Sequence, residues 1–244
     1  MNASAKGVLL TRPMPAAAST IDALKQRGFV VYHQPLLHLA PTHAPRPEGV
    51  RADAIIITSQ NSFCFWHPPH DLCEVPCYIV GQKTAEAAAA AGFKNIAAIA
   101  EDGDVLAKKI VATYSAPRHF LWVGGEHRTA EPLTSLQEKN HIVHTWPVYS
   151  ATMVTEWDDE MITLWAQPPW QAVLLYSART AEALVRGLSA IHQQQQCRGM
   201  MAFCLSPAVA RAAGVLAWQK VLTPAQPEEE KLLQLLHHTL SETP

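Results

Sequence analysis

The sequence predicts an α/β protein with parallel sheets, and three observations support this class. Short apolar runs of strand length alternate with helix-period segments along almost the whole chain, which is typical of parallel strands with crossover helices. A strand, a polar turn and an alanine-rich helix follow one another twice, at Ile79–Ala85 and at Cys204–Ala210. Each copy is preceded by another apolar run that ends in a serine, Ser59 or Ser177. A duplicated unit of this kind indicates two similar lobes.

The strands are predicted from apolar runs that are bounded by turn residues. The predicted strands are Val8–Thr11, Val30–Tyr32, Ala54–Thr58, Cys77–Val80, Ile96–Ile99, His119–Val123, His141–Trp146, Ala172–Tyr176, Met201–Leu205 and Lys220–Leu222.

The helices are predicted from their periodicity and from their end signals. Gly28 and Gly92 are placed as caps after two helices, and Asp102 and Asp104 open another one with acidic residues. Because the two copies align without a gap, Ala217 stands where the first copy has Gly92. The predicted helices are Pro15–Arg27, Asn61–Trp66, Thr84–Ala91, Asp104–Tyr114, Pro132–Lys139, Ala178–His192, Pro207–Ala217 and Glu228–Leu240.

Two proline-bounded apolar segments interrupt this alternation, Pro35–Pro41 and Trp146–Ala151. If they are linker strands that lie side by side, the chain passes twice between two lobes through a double linker, which would act as a hinge. The predicted first lobe is discontinuous and consists of residues 1–37 and 150–244. The second lobe spans 42–147, and the linkers cover about 36–41 and 147–151. Each lobe is expected to be flavodoxin-like or Rossmann-like, with an active cleft between the two.

Composition and charge exclude several classes of function. The 244 residues carry a formal net charge of −2, whereas a broad nucleic-acid surface normally carries a basic excess. No apolar run is long enough to span a bilayer, and the amino-terminal run is too short for a signal peptide. Five cysteines at irregular spacing fit reduced thiols better than a disulfide framework. We therefore expect a cytoplasmic protein that contacts neither nucleic acid nor membrane.

Polar and basic residues follow nearly every predicted strand. Ligands of parallel sheets bind beyond the carboxyl ends of the strands, where helix N-termini and arginine forks take up carboxylates. These residues therefore predict a site for a polyanionic ligand, although each hydroxyl taken alone could simply cap a helix. The candidate binding residues are Thr11, Arg12, Thr58, Ser59, Asn61, Gly81, Lys83, Thr84, Gly125, Glu126, Arg128, Ser177, Arg179 and Ser206.

Motifs for several other chemistries are absent. Neither a G-x-G-x-x-G fingerprint, a G-x-x-x-x-G-K-[ST] loop nor a G-x-S-x-G elbow occurs at a strand end, which disfavours nucleotide sites and acyl hydrolysis. Cys64, His67, His70 and Cys73 recur every three residues, and zinc uses such ligands. Pro68 and Pro69 interrupt the helix that would align them, so the prediction is buried cysteine and loop histidine, without a metal.

The ordered set of motifs resembles the uroporphyrinogen-III synthase family over nearly the whole chain. The matching segments are Thr11–Pro13, Thr58–Asn61, Val80–Ala85, Gly125–Glu126, Pro147–Tyr149 and Tyr176–Ser177. The resemblance implies two α/β lobes with a two-stranded linker and a reaction without metal or organic cofactor. The implied substrate is hydroxymethylbilane, a linear tetrapyrrole. The resemblance also implies a monomer that could contact hydroxymethylbilane synthase transiently.

The resemblance implies roles for several residues. The family's substrate loses its terminal hydroxyl, forms a spiro intermediate and recloses with ring D inverted, so the protein acts mainly by positioning. Tyr149 matches the family's tyrosine beside the cleft and is the candidate to assist loss of the hydroxyl; its alternative role is packing at the linker. Ser59, Asn61, Thr84 and Ser177 match positions that face the cleft. The basic candidates for substrate carboxylates are Arg12, Lys83, Arg128 and Arg179.

The second copy departs from the family pattern. The family usually has Gly-Pro-Thr-Thr-Ala, whereas this chain has Ser206-Pro207-Ala208-Val209-Ala210 and so lacks both threonine hydroxyls. The helix could still offer backbone N–H groups to an anion. This loss is the feature that favours the alternative function, a non-catalytic two-lobed protein that binds tetrapyrroles or other carboxylates. A metal-dependent enzyme built on the cysteine and histidine cluster is a third, weaker alternative.

Overall fold

The computed structural model describes residues 6–127 and 131–242. The chain forms two compact units. Unit 1 combines the chain up to His38 with the chain from Thr152 onward, and unit 2 spans Leu39–Ala151.

The first half of the chain alternates strands with helices, as the sequence predicts. Its elements in order are β1 (Gly7–Leu10), α1 (Ala16–Gln26), β2 (Val30–His33), β3 (Leu37–Pro41), β4 (Ala54–Ile57), α2 (Ser62–Phe65), α3 (His70–Cys73), β5 (Cys77–Val80), α4 (Gln82–Ala90), β6 (Ile96–Ala100) and α5 (Gly103–Thr113).

The second half continues the alternation. Its elements in order are β7 (His119–Gly125), α6 (Glu131–Glu138), β8 (Ile142–Met153), α7 (Asp159–Ala166), β9 (Ala172–Leu175), α8 (Ala178–Ala190), a 3₁₀ helix (Gln194–Gly199), β10 (Met201–Cys204), α9 (Pro207–Ala213), β11 (Lys220–Leu222) and α10 (Glu229–Glu242).

The sheet of unit 1 is parallel, with the strand order β11-β10-β9-β1-β2. Unit 2 contains the order β8-β7-β4-β5-β6, again parallel, with β3 added beside β8. The two orders correspond if the strands of unit 1 are counted β9, β10, β11, β1, β2 and those of unit 2 are counted β4, β5, β6, β7, β8. Read from β11 in unit 1 and from β6 in unit 2, both sheets then have the order third, second, first, fourth, fifth. The predicted class of two similar parallel α/β units is therefore confirmed.

Strands β3 and β8 contain the two positions at which the chain passes from one unit to the other. The Val154 N–H donates to the Leu36 carbonyl at 2.9 Å, and the Thr42 N–H donates to the Val148 carbonyl at 3.3 Å. Since the residue numbers run in opposite directions, β3 is antiparallel to β8. The sequence predicts a strand and a separate linker segment here, whereas β8 is one continuous twelve-residue strand.

Both faces of each sheet are covered. In unit 1, Leu9 and Val173 belong to one core cluster, while their chain neighbours Leu10 and Leu174 belong to another. The strands of unit 2 divide in the same way, with Ile55 on one face and Ile56 on the other. Successive strand residues point to opposite faces, so the continuous apolar runs reflect burial on both sides of each sheet.

The predicted end of the second-copy helix is wrong. Helix α9 stops at Ala213 rather than at Ala217, and Gly214 follows as its C-cap, with its N–H bonded to the Ala210 carbonyl at 2.9 Å. Glycine has low helix propensity, and the chain then turns so that Leu216 enters the core. Gly92 follows the end of α4 with a φ of +101°, whereas Ala217 lies beyond the end of α9. The two copies therefore do not align without a gap at the ends of their helices.

Helix α7 is absent from the helices predicted from the sequence. Its local signal is an acidic start: the Asp158 side chain caps the helix by accepting the Met161 N–H at 2.8 Å, and Asp159 and Glu160 fill the first turn. Acidic residues are favourable at this positive end of a helix. Trp165 anchors α7 in the core of unit 1 and is fully buried.

Candidate functional site

In unit 2, four of the predicted site positions lie in a row at the edge formed by the carboxyl ends of the strands. The row consists of Ser59, Gly81, Gly125 and Tyr149. Ile57 pairs with Val123 on one side and with Ile79 on the other, so the carboxyl ends of β7, β4 and β5 reach the same edge. Gly125 pairs with Tyr149 of β8. Extending the register by two residues places Ser59 and Gly81 in the same row. The order of the strands reverses between β4 and β7, and open α/β sheets bind ligands at such a switch point.

Tyr149 is held closely within this row. Its ring is 8% exposed and stacks on Phe65, with a centroid distance of 6.0 Å and an interplanar angle of 28°. A Cβ at position 125 would lie 2.9 Å from the tyrosine Cζ, so only a glycine fits there. The Glu126 N–H donates to the Tyr149 carbonyl at 2.8 Å. Within residues 6–127 and 131–242, no hydrogen bond engages the Tyr149 hydroxyl, so a fixed phenol keeps its capacity to donate.

Gly81 and α4 form the next part of the row. Gly81 adopts a φ of +84°, a left-handed conformation that favours glycine, and its N–H donates to the Ala100 carbonyl at 2.8 Å. It precedes α4, whose first-turn N–H groups face this edge, and it has no side chain with which to cap the helix. Thr84 is buried, whereas Lys83 is exposed.

The turn after β4 leaves two buried oxygens unsatisfied. The Ser59 hydroxyl accepts the Asn61 N–H at 3.2 Å, which orders the turn. Asn61 Oδ1 and Ser62 Oγ are both buried, and neither has a hydrogen-bond partner among the described residues. Unpaired buried oxygens cost free energy, so these two atoms lower the stability of this turn of the candidate site. Thr58, at the end of β4, is half-buried.

In unit 1, two of the predicted residues are engaged by the protein itself. Thr11 is fully buried, and its hydroxyl donates to the Leu174 carbonyl of the neighbouring strand at 2.6 Å. Arg12 pairs with Glu229, with 3.0 Å between Nη1 and Oε1, and each side chain is 15% exposed. The geometry gives Thr11 a structural role and places Arg12 in an internal ion pair.

Ser177 and Ser206 both cap helices. The Ser177 hydroxyl accepts the Thr180 N–H at 3.1 Å, and the Ser206 hydroxyl accepts the Val209 N–H at 3.5 Å. Val209 is 3% exposed and packs in the core, so the valine that replaces a family threonine serves packing at this position. Ala208 is exposed and Arg179 is half-buried. Arg128 lies outside the described residues.

The cysteine and histidine segment does not converge on one point. Cys64 is exposed, whereas Cys73 and Cys77 are buried, and burial raises the pKa of the Cys77 thiol to about 12. Across the described part of the chain, no group of three or more histidine, cysteine, aspartate or glutamate side chains is arranged to hold a metal ion.

Two cavities lie away from the candidate site. A cavity of about 470 Å³ in unit 2 is lined by residues such as Asp53 and Pro76, which precede β4 and β5. It therefore opens at the amino ends of the strands, opposite the row that contains Tyr149. Another, of about 320 Å³, lies in unit 1 between Val185 of α8 and Val215 after α9. Neither cavity is lined by a predicted site residue.

Comparisons with known proteins agree with this architecture. A family model described as uroporphyrinogen-III synthase HemD matches residues 18–234. The structure is similar to a uroporphyrinogen-III synthetase of Helicobacter pylori, with 15% identity, a TM-score of 0.60 and coverage of 96% of this chain and 99% of the other. A mutant uroporphyrinogen III synthase of Thermus thermophilus has 14% identity and a TM-score of 0.63, with coverage of 98% and 100%.

Two further findings complete the comparison. A sequence comparison with curated proteins gives no significant match. Among the described helices, none is both long and apolar enough to cross a membrane. The structural likenesses support the fold, and the family model covers most of the sequence. On that ground, the chain belongs to the uroporphyrinogen-III synthase family.

Proposed function

We propose that this protein cyclises hydroxymethylbilane to uroporphyrinogen III, with inversion of ring D and loss of water. The observation that carries the proposal is the family match over residues 18–234. The geometry adds a phenol fixed on β8, the strand beside β7 of the β4–β7 switch point at which ligands of such sheets bind. The protein is therefore proposed to be an enzyme of the lyase class.

Tyr149 is proposed to assist the first step. The Tyr149 hydroxyl donates its proton to the terminal hydroxyl of the substrate as the C–O bond breaks, and water leaves. The phenolate takes up the N–H proton of the same pyrrole, so that Tyr149 is restored and the substrate has lost one water in all. The remaining azafulvene is an electrophile, and the substituted carbon of the distal pyrrole attacks it to give the spiro intermediate. Because Phe65 and Gly125 fix the ring, the donor is pre-positioned for this one substrate bond.

The later steps need no further acid or base from the protein. The spiro intermediate fragments and recloses with ring D inverted, and the pyrroles themselves supply the electrons. The contribution of the protein is to hold the chain so that closure to the type I isomer is excluded. Catalysis of this kind is largely positional and depends on many modest contacts.

The substrate carboxylates are proposed to bind at the polar strand ends of each unit. In unit 2, the start of α4, with Gly81, Lys83 and Thr84, offers N–H donors and a cation. Ser59, Asn61 and Thr58 lie beside it in the row. In unit 1, Ser177 and Arg179 begin α8, and Ser206 begins α9. Thr11 is left out of this set because its hydroxyl is already used inside the unit.

The test is a coupled assay in which hydroxymethylbilane synthase supplies the substrate. Oxidised products are separated by chromatography into the type I and type III isomers. We expect the type III fraction to rise with the concentration of this protein, without added metal. Product that remains type I at every concentration would overturn the catalytic proposal and leave the alternative of a non-catalytic binding protein.

A further inference from the structure

Three donors surround one carboxylate oxygen just beyond the carboxyl ends of β1 and β9. Arg12 Nη1 lies 3.0 Å from Glu229 Oε1 and 3.2 Å from Thr20 Oγ1. The Thr20 hydroxyl donates to the same Oε1, and the Tyr176 hydroxyl lies 3.5 Å from it. The guanidinium also stacks over the Tyr176 ring, with 4.4 Å between Cζ and the ring centroid. Glu229 is therefore held as a bound carboxylate would be held.

The position of this group is that of a ligand site. β9 and β1 are the neighbouring strands between which the strand order of unit 1 reverses, and open α/β sheets bind ligands outside the strand ends at that point. An arginine, a hydroxyl and a phenol form a donor set suited to a carboxylate. The side chains of Arg12 and Glu229 are each only 15% exposed, so the interaction is shielded from solvent.

Glu229 can leave this position without undocking its helix. It is the first residue of α10, which Leu232, Leu233, Leu236 and Leu240 anchor in the core of unit 1. The preceding residues 225–228 are exposed. Rotation of the Glu229 side chain, with at most a loosening of the first helical turn, exposes the three donors while the leucines stay in place.

We propose that Arg12, Thr20 and Tyr176 form a carboxylate-binding site, that Glu229 fills it as an internal ligand, and that a carboxylate of an external ligand binds there in its place. An external carboxylate has the same charge and the same acceptor atoms, so the exchange conserves the hydrogen bonds from Arg12, Thr20 and Tyr176. That the external ligand is the polycarboxylate substrate rests on the proposed function; the chemistry of the site does not.

The exchange requires a ligand with several carboxylates. Glu229 is tethered, which gives it an effective concentration in the millimolar range or above. A free monocarboxylate competes poorly with it. A polycarboxylate that is already bound at the neighbouring starts of α8 and α9 gains the same advantage of tethering. Glu229 therefore favours polycarboxylates over simple acids at this site.

The test is rescue of a Glu229→Ala variant by acetate, which fits the space that the removed side chain leaves. The variant should unfold at a lower temperature than the parent chain because Arg12 loses its partner. Replacing chloride by acetate at constant ionic strength should raise the Tm of the variant in a saturable way. The expected rise is about 4 °C at roughly ten times the Kd of acetate.

Two controls separate a specific site from a charge effect. Glu230→Ala removes a charge from the same helical turn, but Glu230 is 57% exposed and pairs with Arg27, so acetate should not raise its Tm. Arg12→Met combined with Glu229→Ala should abolish the rescue.

If Glu229→Ala does not fold, its refolding yield should be higher in acetate than in chloride. Equal Tm values, or equal yields, in acetate and chloride would overturn the proposal.

The outcome of the acetate experiment is independent of the proposed function. Acetate rescue does not involve the tetrapyrrole reaction, so it can succeed in a protein that forms no type III isomer. Conversely, a protein that forms the type III isomer but shows no acetate rescue would retain its function and lose this site.

Discussion

Gly125 lies against the ring of Tyr149 so closely that a Cβ at position 125 would stand 2.9 Å from Cζ and 3.0 Å from the hydroxyl oxygen. Phe65 stacks on the same tyrosine. The ring therefore cannot yield to a larger residue at position 125 without leaving its place in the row of strand ends. This contact connects β7 to β8 at the edge where the candidate site lies.

The first prediction follows from this contact. Gly125→Ala should displace the Tyr149 ring and lower kcat in the coupled assay by about 100-fold, since misplacement of a catalytic group by about 1 Å costs that much. Gly124→Ala is the matched control, because its Cβ would meet Trp122 Nε1 at an ordinary 3.6 Å. Equal rates for the two variants would show that the position of the Tyr149 ring does not matter for turnover.

The strand ends of unit 2 could be predicted from the sequence because each apolar run stops at a polar residue. Continuous apolar runs indicate parallel strands buried on both faces, and parallel strands bring their carboxyl ends to one edge. Thr58, Ser59, Gly81 and Gly125 were found in this way. The reasoning needs only the neighbouring residues in the chain, which explains why it succeeds without a structure.

The contacts between distant residues could not be predicted in the same way. Arg12 and Glu229 are 217 positions apart, and nothing in the local pattern at Arg12 distinguishes an internal ion pair from a ligand contact. The burial of Thr11 is of the same kind, because its acceptor is a backbone carbonyl on another strand. Burial and pairing depend on tertiary packing, so a list of polar strand ends includes side chains, such as that of Thr11, that are already bonded inside the protein.

The second prediction concerns the hydroxyl of Tyr149. Tyr149→Phe keeps the ring, its stacking on Phe65 and the fold, and removes only the proposed donor. We expect kcat to fall by about 100-fold, which is the lower range for general acid catalysis, while the Tm changes little. Tyr32→Phe serves as the control, because its ring packs on Trp170 at 5.4 Å in unit 1. Full turnover by Tyr149→Phe would leave the tyrosine with packing as its role.

The third prediction separates a structural threonine from a binding one. Thr11→Val removes the buried hydroxyl that donates to the Leu174 carbonyl, and should lower the free energy of unfolding by about 1–2 kcal/mol. The isomer ratio of the product should not change. Thr11→Ser keeps the hydroxyl and should retain most of that hydrogen-bond contribution. Denaturant unfolding measures the stability, and a Thr11→Val variant that is stable but forms less type III isomer would return Thr11 to the substrate contacts.

The fourth prediction concerns the response of unit 2 to acid. His141 is 3% exposed and its Nδ1 accepts the Arg118 N–H at 3.2 Å, while its buried Nε2 has no hydrogen-bond partner in the described part of the chain. Burial lowers the pKa of this imidazole in the folded state. Below about pH 6.5, the usual pKa of histidine, the unfolded chain therefore binds a proton that the folded chain does not. The contribution of His141 to stability is present above that pH and is lost as the pH falls through the range between the two pKa values.

The measurement is the free energy of unfolding as a function of pH, followed downward from above the ordinary histidine pKa of about 6.5. His141→Asn keeps an acceptor for the Arg118 N–H but cannot be protonated, so its stability should fall less with acid than that of the parent chain. His67→Asn, which changes an exposed histidine, is the matched control variant. If the parent and His141→Asn lose stability in parallel, the acid response originates elsewhere and the buried imidazole does not control it.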